Sequence, residues 1–187
     1  MKTYITSTLT ILFTLLSVSV SFADTGARNS LSVAPQKVYP KMIEAVKAED
    51  WTKLNNALKI LEPLSEEIDN TLRLKITTEL KQAIADRDQE KAEKKVMEFI
   101  VGGVRSLLIL SGKEDTPEMR KEMFRQAFTE FVTIEQYLKK LDASKTEQIM
   151  TNFRGSYNII RDKSQFITNT MIINRDLKSV IAKIYKS

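Results

Sequence analysis

Glu135 is the residue whose neighbours in the sequence most invite chemistry. At about 100° per residue on a helix, Phe124, Phe128, Phe131 and Leu138 fall within about 40° of one direction, and Glu135 lies about 20° from Phe124 in the same stripe. A carboxylate on an apolar face must meet a partner or keep its proton, because an unpaired buried charge is prohibitively costly. Arg105, Arg154 and Arg161 flank the apolar faces of their own helices and are the candidates for a buried pair with it. Contact with a ligand or a metal ion is the functional alternative. Glu130, five residues earlier, lies about 140° away and so is not its mate on that face.

Two further groups could do more than pack. Glu62, Glu66 and Asp69 share a helical face at i, i+4 and i+7 if Pro63 leaves the helix continuous. Oxygen ligands suit hard cations, so a weakly bound metal ion is conceivable there; a solvated stripe balanced by Lys59 and Arg73 is the plainer reading. Gly102-Gly103 interrupts the most apolar stretch of the chain, Val96 to Leu110. Each glycine costs a helix about 1 kcal/mol relative to Ala, so the pair is expected where another backbone, a partner helix or a ligand comes close.

The composition removes most catalytic chemistry. There is no His and no Cys, which excludes disulfides, thiolate nucleophiles, Cys/His zinc sites and every triad with an imidazole base. Nucleotide-binding glycine motifs and the G-x-S-x-G elbow are absent as well. No enzyme activity is expected. The net charge of +5 is mild, and Lys and Arg are interspersed with Asp and Glu, so no nucleic-acid partner is expected either.

The elements that must position these residues are helices throughout. Val38 to Ala48 reads as the first; Asp50 caps a second through Leu54, Ala57, Leu58 and Leu61, which Pro63 kinks or interrupts. A third runs from Leu64 to Ala85, and Asp86 to Gln89 turn the chain into a fourth that ends near Leu110, with Gly112 beyond. Thr116-Pro117-Glu118 starts a fifth that reaches Leu141; the Ser144 to Glu147 capping-box spacing starts a sixth, which continues to Met171 or breaks near Asp162. Asn174 is placed to cap a short final helix. No stretch alternates as a strand does. The expected fold is all-α: an antiparallel bundle of five to seven helices, or a stack of helical hairpins. Ala45-Val46, Asp50, Lys53, Leu58 and Leu61 align with Ala83-Ile84, Asp88, Lys91, Val96 and Phe99 at an offset of 38 residues, without the third copy that a solenoid needs.

The amino terminus speaks to location. Lys2 precedes the apolar run Leu9 to Val20, which ends in Ser21-Phe22-Ala23 with small residues where a signal peptidase reads. Residues 1–23 are therefore expected to be a cleaved leader, 24–36 a flexible linker and 37–187 the helical domain, exported to the periplasm or the medium. The apolar run is too short for a bilayer that needs ~20 residues, and no transmembrane segment is expected after cleavage.

The stretch Ala127-Phe128-Thr129-Glu130-Phe131, followed by Glu135, Leu138, Leu141-Asp142 and Phe153-Arg154, resembles the extracytoplasmic helical domain attached to some bacterial iron permeases. The resemblance covers about 30 residues; the permeases' membrane-embedded Arg-Glu-x-x-Glu motif is absent. It implies a stand-alone periplasmic accessory of metal uptake, with Glu130 and Glu135 at the positions of the family's acidic residues. The residues themselves point to an exported, non-enzymatic binding or interaction protein, with a protein partner or small ligand and no cofactor beyond a weakly bound metal ion.

Overall fold

The computed structural model describes Leu31 and residues 33–185. The expected leader and most of the expected linker lie outside the described residues. Within them are α1 (Pro35–Lys47), α2 (Trp51–Ile60), α3 (Glu62–Leu72), α4 (Ile76–Asp86), α5 (Gln89–Lys113), α6 (Pro117–Ile159), α7 (Lys163–Ile181) and a closing 3-10 turn, Ala182–Tyr185. The described residues hold no strand, and the helices pack on one another as an all-α bundle.

Local chemistry accounts for most of the helix starts. Asp50, Asp88, Thr116 and Asp162 each cap a helix by accepting a backbone N–H three residues on, from Lys53, Lys91, Met119 and Gln165. Pro35 and Pro63 sit in the first turns of α1 and α3, where a missing N–H costs nothing. The first helix therefore begins at Pro35, inside the expected linker, and Pro35 is buried.

Three departures from expectation have clear causes. The helix expected over Leu64 to Ala85 is two, because Arg73 adopts the left-handed conformation (φ 54°) and ends α3. No Gly or Pro marks that break. α5 runs through Gly112 to Lys113, and α7 runs through Asn174, which spends its side chain on Arg105 rather than on a cap.

The 38-residue offset corresponds to a repeated turn. Glu49 (φ 53°) and Arg87 (φ 52°) both terminate a helix in the left-handed conformation. The next residue, Asp50 or Asp88, donates its N–H to Ala45 or Ala83, closing the six-to-one bond of a Schellman motif, and then caps the following helix. Two like hairpins, α1 to α2 and α4 to α5, result.

α5 is the axis of the bundle. Phe99 through Val104 are six consecutive buried residues, and α1, α3, α4, α6 and α7 all pack against this helix. A helix apolar all round its middle has to be wrapped in this way.

α6 folds back on itself. Asp142 alone leaves helical geometry (φ −159°, ψ 92°), and ring contacts pair its two arms in opposite directions: Phe131 and Phe128 on Phe153, Phe124 on Tyr157. The Asp142 carboxylate caps the returning arm by accepting the Lys145 N–H at 3.0 Å, so the expected Ser144 to Glu147 capping box is not the start. The open end of this hairpin is held by Arg120, buried at 2% exposure. Its guanidinium donates to the carbonyls of Glu114, Asp115 and Ile160 and faces the Phe166 ring, so one cation ties the α5–α6 loop to the end of α6.

Candidate functional site

Glu135 and Glu130 exchange the roles that the stripe of aromatic residues suggests. Glu135 is partly exposed and pairs with Lys139 at 2.9 Å, one turn along the same helix, rather than with an arginine. Arg105 donates to Asn174 at 2.7 Å, and burial pulls its guanidinium below the usual arginine range while Glu98 opposes the shift. Arg154 and Arg161 are exposed. Glu130, in contrast, is 2% exposed and accepts a 2.8 Å hydrogen bond from the Tyr39 hydroxyl.

The reason lies in how many helices surround α6. Its first arm buries Met123, Phe124, Ala127, Glu130, Phe131, Ile134 and Leu138 against α1, α5, α7 and its own returning arm. That arc is centred about 60° from Phe124 on the side away from Glu135, so Glu130 falls inside it and Glu135 at its edge. The two carboxylates singled out by the resemblance therefore face different surroundings.

Glu130 belongs to a polar centre inside the bundle. A Cβ on Gly103 would collide with the Tyr39 hydroxyl and stand 3.0 Å from the Glu130 carboxylate, so this glycine makes room for the pair. One turn on, the buried Ser106 hydroxyl donates to Glu67 at 2.7 Å. Gly102 serves α3 and α4 instead, where Ile68, Leu72 and Ile76 fill the space that a side chain would take. The sequence signal for Glu130 was its register with Met123, Ala127 and Ile134; for Glu67 it was a place on the shoulder of the α3 stripe, about 60° from Leu64.

The Glu62, Glu66 and Asp69 stripe lies on α3 as a continuous face. Glu62 meets Lys81 at 3.4 Å, Glu66 is exposed, and Asp69 accepts the Thr77 N–H at 3.4 Å. Among the described residues no three carboxylates gather where they could hold a metal ion.

One accessible concavity is a cleft of about 290 Å³ at the end of the bundle where α1 stops and the α6 hairpin turns; two others lie between the returning arm of α6 and α7 and between α5 and α7. Ile43 and Val46 of α1, Val96 and Met97 of α5, Leu141 of α6 and Ile184 of the closing turn form an apolar floor. Lys47, Lys94, Lys140, Glu90 and Glu93 stand around it with Tyr137. Lys94 is neutralised by Glu90 at 2.7 Å. Lys47 and Lys140 are both exposed, and among the described residues neither has a carboxylate within ion-pairing distance. Their ammonium groups instead share the Tyr137 ring, 5.3 and 5.9 Å from its centroid, contacts worth only about 0.5–1 kcal/mol each at exposed positions.

The closing turn that supplies Ile184 is pinned on both sides. Lys183 pairs with Asp142 at 2.6 Å, and the Tyr185 ring lies over Lys94 and Lys95. Burial works against the Lys95 ammonium, yet hydrogen bonds to Glu79, Glu98 and Tyr185 together outweigh it and raise its pKa. No spacing in the sequence announces this cleft, because its residues come from four elements. Compared with protein-family models, curated proteins and solved structures, the chain shows no significant match to any of the three.

Proposed function

We propose that this protein is an exported, non-enzymatic binding module that takes a small, partly apolar ligand in the cleft between α1, α5, α6 and the closing turn. The observation that carries this reading is the cleft itself: a concavity lined from four elements, in which the partly exposed Leu141 and Tyr137 stand over the buried Ile43, Val46, Val96 and Met97. Such a concavity, apolar below with a few polar groups at its mouth, is the ordinary form of a small-molecule site. The lack of His and Cys favours binding over catalysis, and the charge and apolar run of residues 1–23 favour export.

Titration calorimetry with 1-decanol, an uncharged apolar probe, tests the cleft. One saturable site per chain is expected, and Leu141→Trp, which adds bulk at the partly buried wall, should abolish it while the helical circular dichroism is unchanged. No saturable binding, or binding indifferent to that substitution, rejects the cleft as the site. Mass spectrometry of protein recovered from outside the cytoplasm should find Asp24 at the amino terminus; Met1 there would end the exported part of the reading.

A further inference from the structure

We infer that the ligand is an amphiphilic anion, a single-chain carboxylate whose head group lies beside the Tyr137 ring that Lys47 and Lys140 share and whose tail lies along Met97, Leu141 and Ile184. The inference rests on the binding reading above and adds the charge and size of what binds. Lys47 ends α1 and Lys140 lies in the last turn of the first α6 arm, so two separate elements bring ammonium groups to one ring at the mouth of one cleft.

Lys94 has Glu90 and Lys139 has Glu135, whereas Lys47 and Lys140 face only the Tyr137 ring among the described residues. Both ammonium groups are exposed and solvated, so a carboxylate arriving at that ring meets two cations that no described carboxylate already holds. Glu93, exposed on α5, is the one opposing charge at the rim that no described cation pairs, and the lining carries three lysines against two glutamates.

The floor beneath is aliphatic apart from the Met97 thioether, with no buried donor to satisfy a second polar group, so the tail should be hydrocarbon. At the ~30 Å³ that one water takes in the liquid, the 290 Å³ of the cleft corresponds to roughly ten non-hydrogen atoms, about the hydrocarbon tail of a ten-carbon acid whose carboxylate stays at the mouth.

Decanoate and 1-decanol, titrated into the same full-length chain at low salt, form the test. Decanoate should bind roughly tenfold more tightly, the gain expected from two partly screened ion pairs. The double substitution Lys47→Gln with Lys140→Gln should bring decanoate to the affinity of decanol and leave decanol alone. Lys94→Gln, which removes a lysine already paired to Glu90, should change decanoate binding by less than about twofold. Equal affinity of wild-type protein for the acid and the alcohol overturns the inference while the apolar cleft stands. An effect of Lys94→Gln as large as that of the double substitution overturns it too, by assigning the preference to diffuse charge. Failure of both probes to bind removes the reading beneath it.

Discussion

Gly103 sets local preference against packing, and magnitudes decide between them. In a helix interior Ala is favoured over Gly by about 1 kcal/mol, so Gly103→Ala would stabilise α5 in isolation. In the bundle the added methyl meets the rigid phenol of Tyr39 and the carboxylate of Glu130, and overpacking of this kind costs about 1–3 kcal/mol, with disruption of the buried hydrogen bond added. The net effect should be destabilising. Gly155, on the exposed side of α6, has open space where its Cβ would be, so Gly155→Ala should raise stability by about 0.5–1 kcal/mol. Opposite shifts of the two urea midpoints at unchanged slope check the pair; a stabilised Gly103→Ala would mean that Tyr39 and Glu130 move aside at little cost. The sequence marks Gly102-Gly103 as unfavourable to a helix and as a place of close approach. What approaches is invisible there, because Tyr39 and Glu130 arrive from helices far away along the chain.

At the scale of elements, the turns that end α1, α3 and α4 share one geometry built from unfavourable residues. Glu49, Arg73 and Arg87 all hold positive φ, where an L side chain costs roughly 1–2 kcal/mol and Gly costs nothing. Arg87 is exposed and has no described carboxylate partner, so Arg87→Gly should stabilise the protein by up to about 1 kcal/mol, read as a higher thermal midpoint. An unchanged or lower midpoint would indicate that the arginine makes up the strain elsewhere. The same feature explains why the α3–α4 break was not legible in the sequence. Helix ends are read from Gly and Pro, and Arg73 is neither; only the docking of α3 and α4 against α5 makes the left-handed residue worthwhile. The turn at Asp142 was half legible: its position after Leu141 is clear, but the cap is the aspartate itself, which also holds Lys183.

For the whole molecule, ion pairs close the places where the chain returns on itself. The Asp142 carboxyl is held below the ordinary aspartate range, first by the Lys183 hydrogen bond and then by the Lys145 N–H; the Asp115 carboxyl is held down in the same sense by Lys163. A carboxylate whose pKa is depressed by folding contributes fully above its unfolded value of about 3.9, and that contribution disappears as pH falls through the lower folded value. Asp142→Asn should therefore be less stable than the wild type near pH 7, and the difference should begin to shrink below about pH 4 and close only below the depressed folded value. A deficit that persists undiminished at pH 2 would assign the loss to the cap and not to the charge. Because Ile184 follows Lys183 and walls the cleft, this pair also bears on the shape of the site.

What the sequence determined by itself was whatever depends on neighbours within one or two turns. The all-helical class, the caps at Asp50, Asp88 and Thr116, and the central standing of the Val96 to Leu110 run all follow from local hydrogen bonding and hydrophobic period. The tertiary structure alone decided which carboxylate is buried, which lysines stay unneutralised and where a cleft is left. Periodicity orients a side chain about its own helix axis; it does not count the helices that will pack around that axis. Four neighbours around the first arm of α6, its own returning arm among them, widened its buried arc and drew Glu130 inside, while Lys47, Tyr137 and Lys140 met only because two helices end at the same corner of the bundle.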